Sequence, residues 1–145
     1  MLTEKKKASS KQPPVPALPV GPGEDPWTAE EIAELRAELV ETVERMRKKI
    51  ADAEAELAAM LSEGPDGAGK DPADVGSSNF ERDQEMSLAA NSREMLEQAR
   101  LALSLLDDGT YGNCEVCGKP IGKLRLQAFP RATMCVSCKQ AQERR

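Results

Sequence analysis

The 145-residue sequence contains no histidine and very few aromatic residues. Aromatic side chains make up 3% of the chain, and they are Trp27, Phe80, Tyr111 and Phe129. No catalytic histidine or nucleophile constellation is present, so we expect a protein that is not an enzyme. So few aromatic side chains argue against a large core, and the abundant Ala, Glu, Leu, Lys and Arg favour long helices that bury a stripe.

Long apolar runs are also missing. No stretch approaches the roughly 18 apolar residues of a membrane span, and proline follows the basic run Lys5–Lys7, which disfavours a secretory signal. The four cysteines fall at zinc-binding spacing, which fits a reducing cytoplasm better than the alternative of two disulfides in a secreted protein. We therefore expect a cytoplasmic protein.

The four cysteines form two C-x-x-C pairs near the end of the chain. They are Cys114, Cys117, Cys135 and Cys138, with seventeen residues between the pairs. This spacing predicts that four thiolates close a tetrahedron around one Zn²⁺. Four sulfur ligands leave no open coordination position, so we expect one structural zinc ion. Gly118 suits the turn after the first pair, and a helix is predicted after the second.

Charge is segregated along the chain, whose net charge is −5. Residues 26–108 carry nine lysines and arginines against twenty acidic residues, whereas residues 109–145 carry seven against two. An acidic middle and a basic cysteine module indicate two different interaction surfaces. The basic module lacks interleaved aromatic residues for base stacking, so no sequence-specific DNA binding is expected.

The periodicity predicts a mainly α fold with three parts. Residues 1–26 hold six of the ten prolines and are predicted to form a disordered tail. Residues 27–108 are predicted to form a long antiparallel coiled-coil hairpin, and residues 109–145 a small C4 zinc-finger head. Since a hairpin buries its own seam, we expect a monomer.

The first helix of the hairpin is predicted to begin after Thr28, which forms a capping box with Glu31. It ends at Glu63, before glycine and proline. Its apolar positions follow heptad spacing with one stutter. They are Ile32, Leu35, Leu39, Val43, Met46, Ile50, Ala53, Leu57 and Met60.

The second helix is predicted to follow a loop at 64–77 and to start at a capping box of Ser78 and Glu81. It is predicted to stop at Asp108, with Gly109 in the left-handed conformation. Its apolar positions are Met86, Ala89, Leu96, Ala99, Leu103 and Leu106. At the base, we expect a small core of Trp27, Ile32, Tyr111 and Phe129.

The loop at the hairpin tip carries two carboxylates three residues apart, Asp71 and Asp74. Ordinary turn and capping chemistry explains such residues. Their predicted position, roughly 50 Å from the head at a helical rise of about 1.5 Å per residue, favours a further role. Carboxylates at the end of a narrow rod can enter a charged channel and act near a metal or phosphate site.

The head carries a pattern that resembles the DksA/TraR C4-type zinc-finger family. The pattern runs Tyr111-Gly112-x-Cys114-x-x-Cys117-Gly118, then Ile121-Gly122-x-x-Arg125-Leu126, then Pro130-x-x-x-x-Cys135-x-x-Cys138-Lys139. With the hairpin and the D-x-x-D tip, the resemblance covers about residues 30–145.

The resemblance implies a regulator that binds bacterial RNA polymerase without specific DNA contacts. The coiled coil is expected to enter the secondary channel, bringing Asp71 and Asp74 towards the active site and modulating initiation. Arg125 and Lys139 match basic positions of the family, and Lys139 corresponds to a contact for the alarmone ppGpp at the interface.

The chain departs from the family pattern at three positions. Gly76 stands where the family has an alanine two residues after the second tip aspartate. Gln98 replaces a lysine of the second helix that helps to bind ppGpp, and Phe129 replaces an arginine just before the proline. The last two changes remove cationic partners for ppGpp.

Two other functions stay open at this stage. Tip carboxylates that recruit Mg²⁺ would make the chain a factor that stimulates transcript cleavage by polymerase. Oxidation of the cysteines with loss of zinc would make it a thiol- and zinc-based redox-sensing adaptor.

Overall fold

The computed structural model describes residues 18–63 and 72–144, and of Glu63 and residues 72–75 it describes the backbone alone. Within those ranges the fold is helical, as predicted. The helices are α1 (Ala29–Glu63), α2 (Pro72–Asp108), α3 (Lys123–Ala128) and α4 (Val136–Glu143). In the described ranges, no helix combines the length and the apolar character needed to cross a membrane.

Helix α1 starts and ends where the sequence predicts. The Thr28 hydroxyl accepts a hydrogen bond from the Glu31 amide at 3.1 Å, and the Glu31 carboxylate accepts one from the Thr28 amide at 2.9 Å. These two bonds form the predicted capping box. The 35 residues of the helix span roughly 50 Å at about 1.5 Å per residue.

Helix α2 starts earlier than predicted. It begins at Pro72, so the capping box of Ser78 and Glu81 is wrong, and residues 72–77 of the predicted 64–77 loop are helical. Proline is favoured at the first helical position because its ring fixes φ and no amide hydrogen is needed there. Residues 64–71 lie outside the described part of the chain.

Helix α2 ends in the predicted left-handed glycine. Gly109 has φ 78°, and its amide bonds to the Leu106 carbonyl at 3.2 Å. The Thr110 amide bonds to the Leu105 carbonyl at 2.9 Å. These two bonds make a Schellman motif, which satisfies the last carbonyls of the helix and turns the chain into the head.

The two long helices pair antiparallel. Arg36 contacts Asp107 at 2.7 Å near the base, and Arg93 contacts Glu54 at 3.0 Å further along. Most of the predicted seam is buried between them, although Met86 is exposed. The buried apolar residues of the seam are Ile32, Leu35, Leu39, Val43, Met46, Ala53, Ala89, Leu96, Ala99, Ala102 and Leu106.

The small core at the base contains Trp27, Ile32 and Tyr111, as predicted, but not Phe129. The phenol of Tyr111 is buried and donates a hydrogen bond to the Pro130 carbonyl at 2.8 Å. Phe129 is instead 62% exposed, with its ring 5.8 Å from the guanidinium carbon of Arg125. Leu126, fully buried, occupies the core in its place.

Residues 18–26 differ from the predicted disordered tail. Leu18 is buried in the core cluster, and the Trp27 indole donates a hydrogen bond to the Pro19 carbonyl at 3.2 Å. The Glu24 carboxylate accepts hydrogen bonds from the head at the start of α3. Composition suggested a solvated segment, but these long-range contacts hold it against the head. Residues 1–17 of the predicted tail lie outside the described residues.

Candidate functional site

The first cysteine pair lies in a tight turn between Asn113 and Pro120, which form an isolated antiparallel bridge. The Cys114 amide bonds to the Lys119 carbonyl at 2.8 Å, and the Gly118 amide bonds to the Cys114 carbonyl at 3.0 Å. Gly118 has φ 76°, a conformation that glycine adopts without a steric cost. The turn brings Cys114 and Cys117 to the same side of the backbone.

The second pair is placed by α4. Cys135 caps the helix in an extended conformation, and Cys138 is its third residue, close to the end where the helix dipole favours a thiolate. The Lys139 amide bonds to the Cys135 carbonyl at 3.0 Å. The amide of Glu115 bonds to the Thr133 carbonyl at 2.9 Å, which ties the two cysteine turns together.

The four sulfur atoms meet in one cluster. All lie within 4.8 Å of one another, and none of the cysteines is in a disulfide. A zinc–sulfur distance of about 2.3 Å in a tetrahedron implies sulfur–sulfur distances of roughly 3.8 Å. The sulfurs of Cys117 and Cys135 are 3.8 Å apart. The residues therefore fit one structural zinc ion.

The sulfur atoms are close enough to shift one another's pKa in opposite directions. Burial raises the pKa of the Cys114 thiol, but amide donors from Cys117, Cys135 and Val116 outweigh it and lower that pKa to about 6. The pKa of Cys138 is raised to about 12, first by its hydrogen bond with Cys135 and then by burial. Four thiolates at this distance repel one another, so a bound cation such as Zn²⁺ would be needed to hold all four deprotonated.

The tip aspartates are mostly outside what the structure describes. Asp71 lies outside the described residues, and Asp74 is the third residue of α2 with its backbone alone described. The position after next, Gly76, has open space where a Cβ would stand. The tip site stays a prediction from the sequence.

Arg125 and Lys139 line the same cavity of about 550 Å³ between the hairpin base and the head. The Arg125 Nε donates a hydrogen bond to the Met134 carbonyl at 3.1 Å, so part of its hydrogen-bonding capacity is used within the head. Lys139 is exposed on α4. The structure thus brings together two residues predicted from the head pattern.

The sequence reasoning missed two further cations in this cavity, Arg45 and Arg131. Arg45 is on α1, and only the folding of the head against the hairpin brings it to this cavity. Arg131 donates a hydrogen bond to Gln98 of α2, which joins head and hairpin across the cavity. The acidic residues Glu38 and Glu143 also line it, so the cavity is mixed in charge.

Comparison with known proteins identifies the head. Residues 109–144 match the family model described as the prokaryotic dksA/traR C4-type zinc finger, which confirms the predicted resemblance. Over 75 residues the chain is 41% identical to a protein of Caulobacter vibrioides named RNA polymerase-binding transcription factor DksA, covering 52% of this chain and 53% of that protein. A protein of the same name from Haemophilus influenzae is 34% identical over 73 residues, 50% of each chain.

A solved structure resembles a larger part of the chain. The transcription factor DksA2 from Pseudomonas aeruginosa has a TM-score of 0.63 and 28% sequence identity, over 80% of this chain and 85% of that one. The chain spans about half the length of the curated relatives it matches. Because the match to DksA2 covers 80% of this chain, it extends beyond the zinc finger at residues 109–144 into the hairpin.

Proposed function

We propose that this chain, whose residues 109–144 form a zinc finger of the prokaryotic dksA/traR C4 type, is a transcription regulator that binds bacterial RNA polymerase. The observation that carries the proposal is the combination of that zinc finger with a long antiparallel hairpin. Relatives that match about half of the chain are named as RNA polymerase-binding transcription factors, and the DksA2 structure shares the wider fold.

The hairpin is suited to a narrow channel. Two paired helices, each about 10–12 Å across with side chains, make a rod that is roughly 50 Å long. We propose that the rod enters the secondary channel of polymerase while the basic head docks outside. Asp71 and Asp74 would then approach the active site, where carboxylates alter the stability of the initiation complex.

The cavity that Arg125 and Lys139 line is the candidate position for ppGpp at the polymerase interface. Arg125 and Lys139 are the proposed contacts. Gln98 supplies no positive charge and already accepts a hydrogen bond from Arg131, and Phe129 is an exposed apolar residue. These features predict a weaker response to ppGpp than a cavity with lysine and arginine at those two positions.

A competition pull-down tests polymerase binding directly. The purified full chain is immobilised and mixed with bacterial RNA polymerase, with and without an excess of a factor known to occupy the secondary channel. We expect retention of polymerase that the competitor abolishes. Retention that the competitor leaves unchanged would place the contact elsewhere, and no retention would remove the proposal.

The role of the tip is tested by Asp74→Asn in an abortive-initiation assay. The expected result is loss of the effect on initiation, with affinity for polymerase within a few-fold of the parent. Asp83→Asn, an exposed position of the same helix, serves as the control and should keep the parental effect. Equal activity of the Asp74 variant and the parent would refute the tip mechanism.

Redox sensing is a second candidate function, because Cys117 is the exposed member of the zinc cluster. Oxidation of an accessible zinc thiolate releases the metal. The assay adds peroxide and follows zinc release and polymerase retention together. Zinc release accompanied by a parallel loss of polymerase binding supports a redox-sensing adaptor. Polymerase binding that survives complete zinc release argues against it.

We propose that the chain acts as a binding protein and not as an enzyme, in line with relatives that are named transcription factors. The alternative of stimulated transcript cleavage has a simple test, since stalled complexes incubated with the chain and Mg²⁺ would shorten their RNA. We expect RNA of unchanged length. We also propose that one copy acts alone, without sequence-specific DNA contacts.

A further inference from the structure

The short helices of the head make far less contact with the hairpin helices than those two helices make with each other. Among the described residues, α1 and α2 are the one pair of helices with extensive contact. The head is joined to α2 covalently through residues 109–113, where Gly109 and Gly112 both have positive φ. Other contacts must therefore set its orientation, and many of them come from residues 18–31.

Glu24 makes the most connected polar contact of this segment. Its Oε1 accepts hydrogen bonds from the Gly21 amide at 2.6 Å and the Lys123 amide at 2.7 Å. Its Oε2 accepts one from the Leu124 amide at 3.0 Å. These amides lower the pKa of the Glu24 carboxyl. One carboxylate thus ties the chain before α1 to the start of α3.

Lys123 makes the reciprocal contacts. Its ammonium lies 2.6 Å from the Glu31 carboxylate, 3.3 Å from the Pro26 carbonyl and 5.6 Å from the centre of the Trp27 ring. The Lys123 side chain is 12% exposed, so these contacts are largely shielded from solvent. The cation–π and ionic contacts strengthen as water is excluded.

Apolar packing continues the same contact on the other side of the segment. Leu18 is buried in the core cluster with Leu126 of α3. Pro19 lies so close to Gly112 that a Cβ at Gly112 would stand 3.3 Å from the proline ring. The segment therefore contacts both the junction of the head with α2 and the first turn of α3.

We propose that residues 18–31 form a clasp, a segment that holds the zinc head at one orientation on the hairpin. The Glu24 carboxylate is its central polar contact with the head. Loss of the Glu24 carboxylate frees the head to pivot about residues 109–113. Because the head and the tip are roughly 50 Å apart, a tilt of about 10° displaces the tip by about 9 Å relative to the head. The clasp thus sets where the tip lies when a partner holds the head.

Nuclear magnetic resonance of the free, zinc-loaded full chain tests the clasp without polymerase, so its outcome is independent of the proposed function. Residual dipolar couplings report whether the amides of α1, α2 and the head share one alignment tensor. We expect one tensor for the parent. For Glu24→Ala we expect a separate tensor of reduced magnitude for the head, with faster exchange of the Lys123 and Leu124 amides.

The controls separate opening of the clasp from unfolding. Glu30→Gln removes a charge from an exposed position within residues 18–31 that makes none of the contacts described above, and it should keep one tensor. Zinc content of one ion per chain shows that the head of each variant is folded. If Glu24→Ala does not fold, Glu24→Gln decides, because its amide has one acceptor oxygen and an NH₂ group that cannot accept, so the bonds to both carboxylate oxygens cannot all be kept. A folded Glu24 variant with one tensor and unchanged amide exchange would overturn the proposal.

Discussion

Lys123 of the head and Glu31 of the hairpin form an ion pair with 2.6 Å between Nζ and Oε1. Their side chains are 12% and 28% exposed, whereas the partners in the pair of Lys48 and Asp52 are 78% and 68% exposed. Glu31 also caps α1 through the Thr28 amide. One carboxylate therefore serves both the start of the hairpin and the attachment of the head.

The ion pair predicts a specific dependence of stability on acid. The Lys123 ammonium, followed by the Thr28 amide, lowers the pKa of Glu31 from 4.5 to about 2. A lowered pKa in the folded state stabilises the protein above pH 4.5, and the contribution is lost as pH falls towards 2. Lys123→Met should lower Tm at pH 7, and the difference from the parent should shrink as the pH falls below 4.5.

The measurement is thermal unfolding followed by circular dichroism between pH 7 and pH 2.5. Lys48→Met provides the matched control, because exposed pairs contribute little, and its Tm should follow the parental curve. A Lys123 variant whose Tm differs from the parent by the same amount at every pH would contradict the assignment to Glu31.

The hairpin seam predicts a contrast between two adjacent residues. Leu39 is fully buried and Val40 is 46% exposed. Leu39→Ala should lower the free energy of unfolding by about 2–5 kcal/mol, because it leaves a cavity between the helices. Val40→Ala should change it by less than about 0.5 kcal/mol. Denaturant unfolding measures both, and equal effects would show that the base of the seam is wrongly placed.

The sulfur cluster predicts one zinc ion per chain. Elemental analysis of the purified protein should give that stoichiometry. A strong chelator should unfold the head, because a C4 site contributes directly to folding, while the far-ultraviolet signal of the long helices largely persists. Re-addition of zinc should restore the emission of Trp27, the single tryptophan. A head that keeps its structure without zinc would contradict a structural role.

Tyr111 predicts a change of stability at high pH. Burial, followed by the charge of Glu38, raises the pKa of this phenol above its ordinary value of 10.0. The folded state then retains a proton that the unfolded state loses, so stability falls as pH rises above about 10. Absorbance at 295 nm should show ionisation of the single tyrosine together with unfolding. Ionisation near pH 10 in the folded protein would refute its burial.

Much of the hairpin could be predicted because its signals are local. The Thr28 cap, the heptad spacing and the glycine at 109 each depend on residues within a few turns of helix. The start of α2 was predicted wrongly, because the capping-box pattern of Ser78 and Glu81 indicates a helix start at that point. The structure starts the helix at Pro72, a position that proline favours because its ring fixes φ and it needs no amide hydrogen there.

The head was predicted in its chemistry more fully than in its contacts. The spacing of the cysteines predicts their ligand role, because two residues between thiols allow both to bind one metal. Phe129 was expected inside and is outside, since the hydrogen bond of Tyr111 to Pro130 sets the path of the chain there. Arg45 reaches the cavity from α1, far from the head in sequence, which no local pattern indicates.

The sequence by itself determined the helical class, the seam of the hairpin and the four zinc ligands. The tertiary structure alone decided that residues 18–26 pack against the head, that Glu24 meets Lys123 and Leu124, and which cations share a cavity. The physical reason is the distance along the sequence over which each interaction acts. Caps, heptads and metal spacing act between near neighbours, whereas a contact across about a hundred residues exists only after the hairpin has folded back on itself.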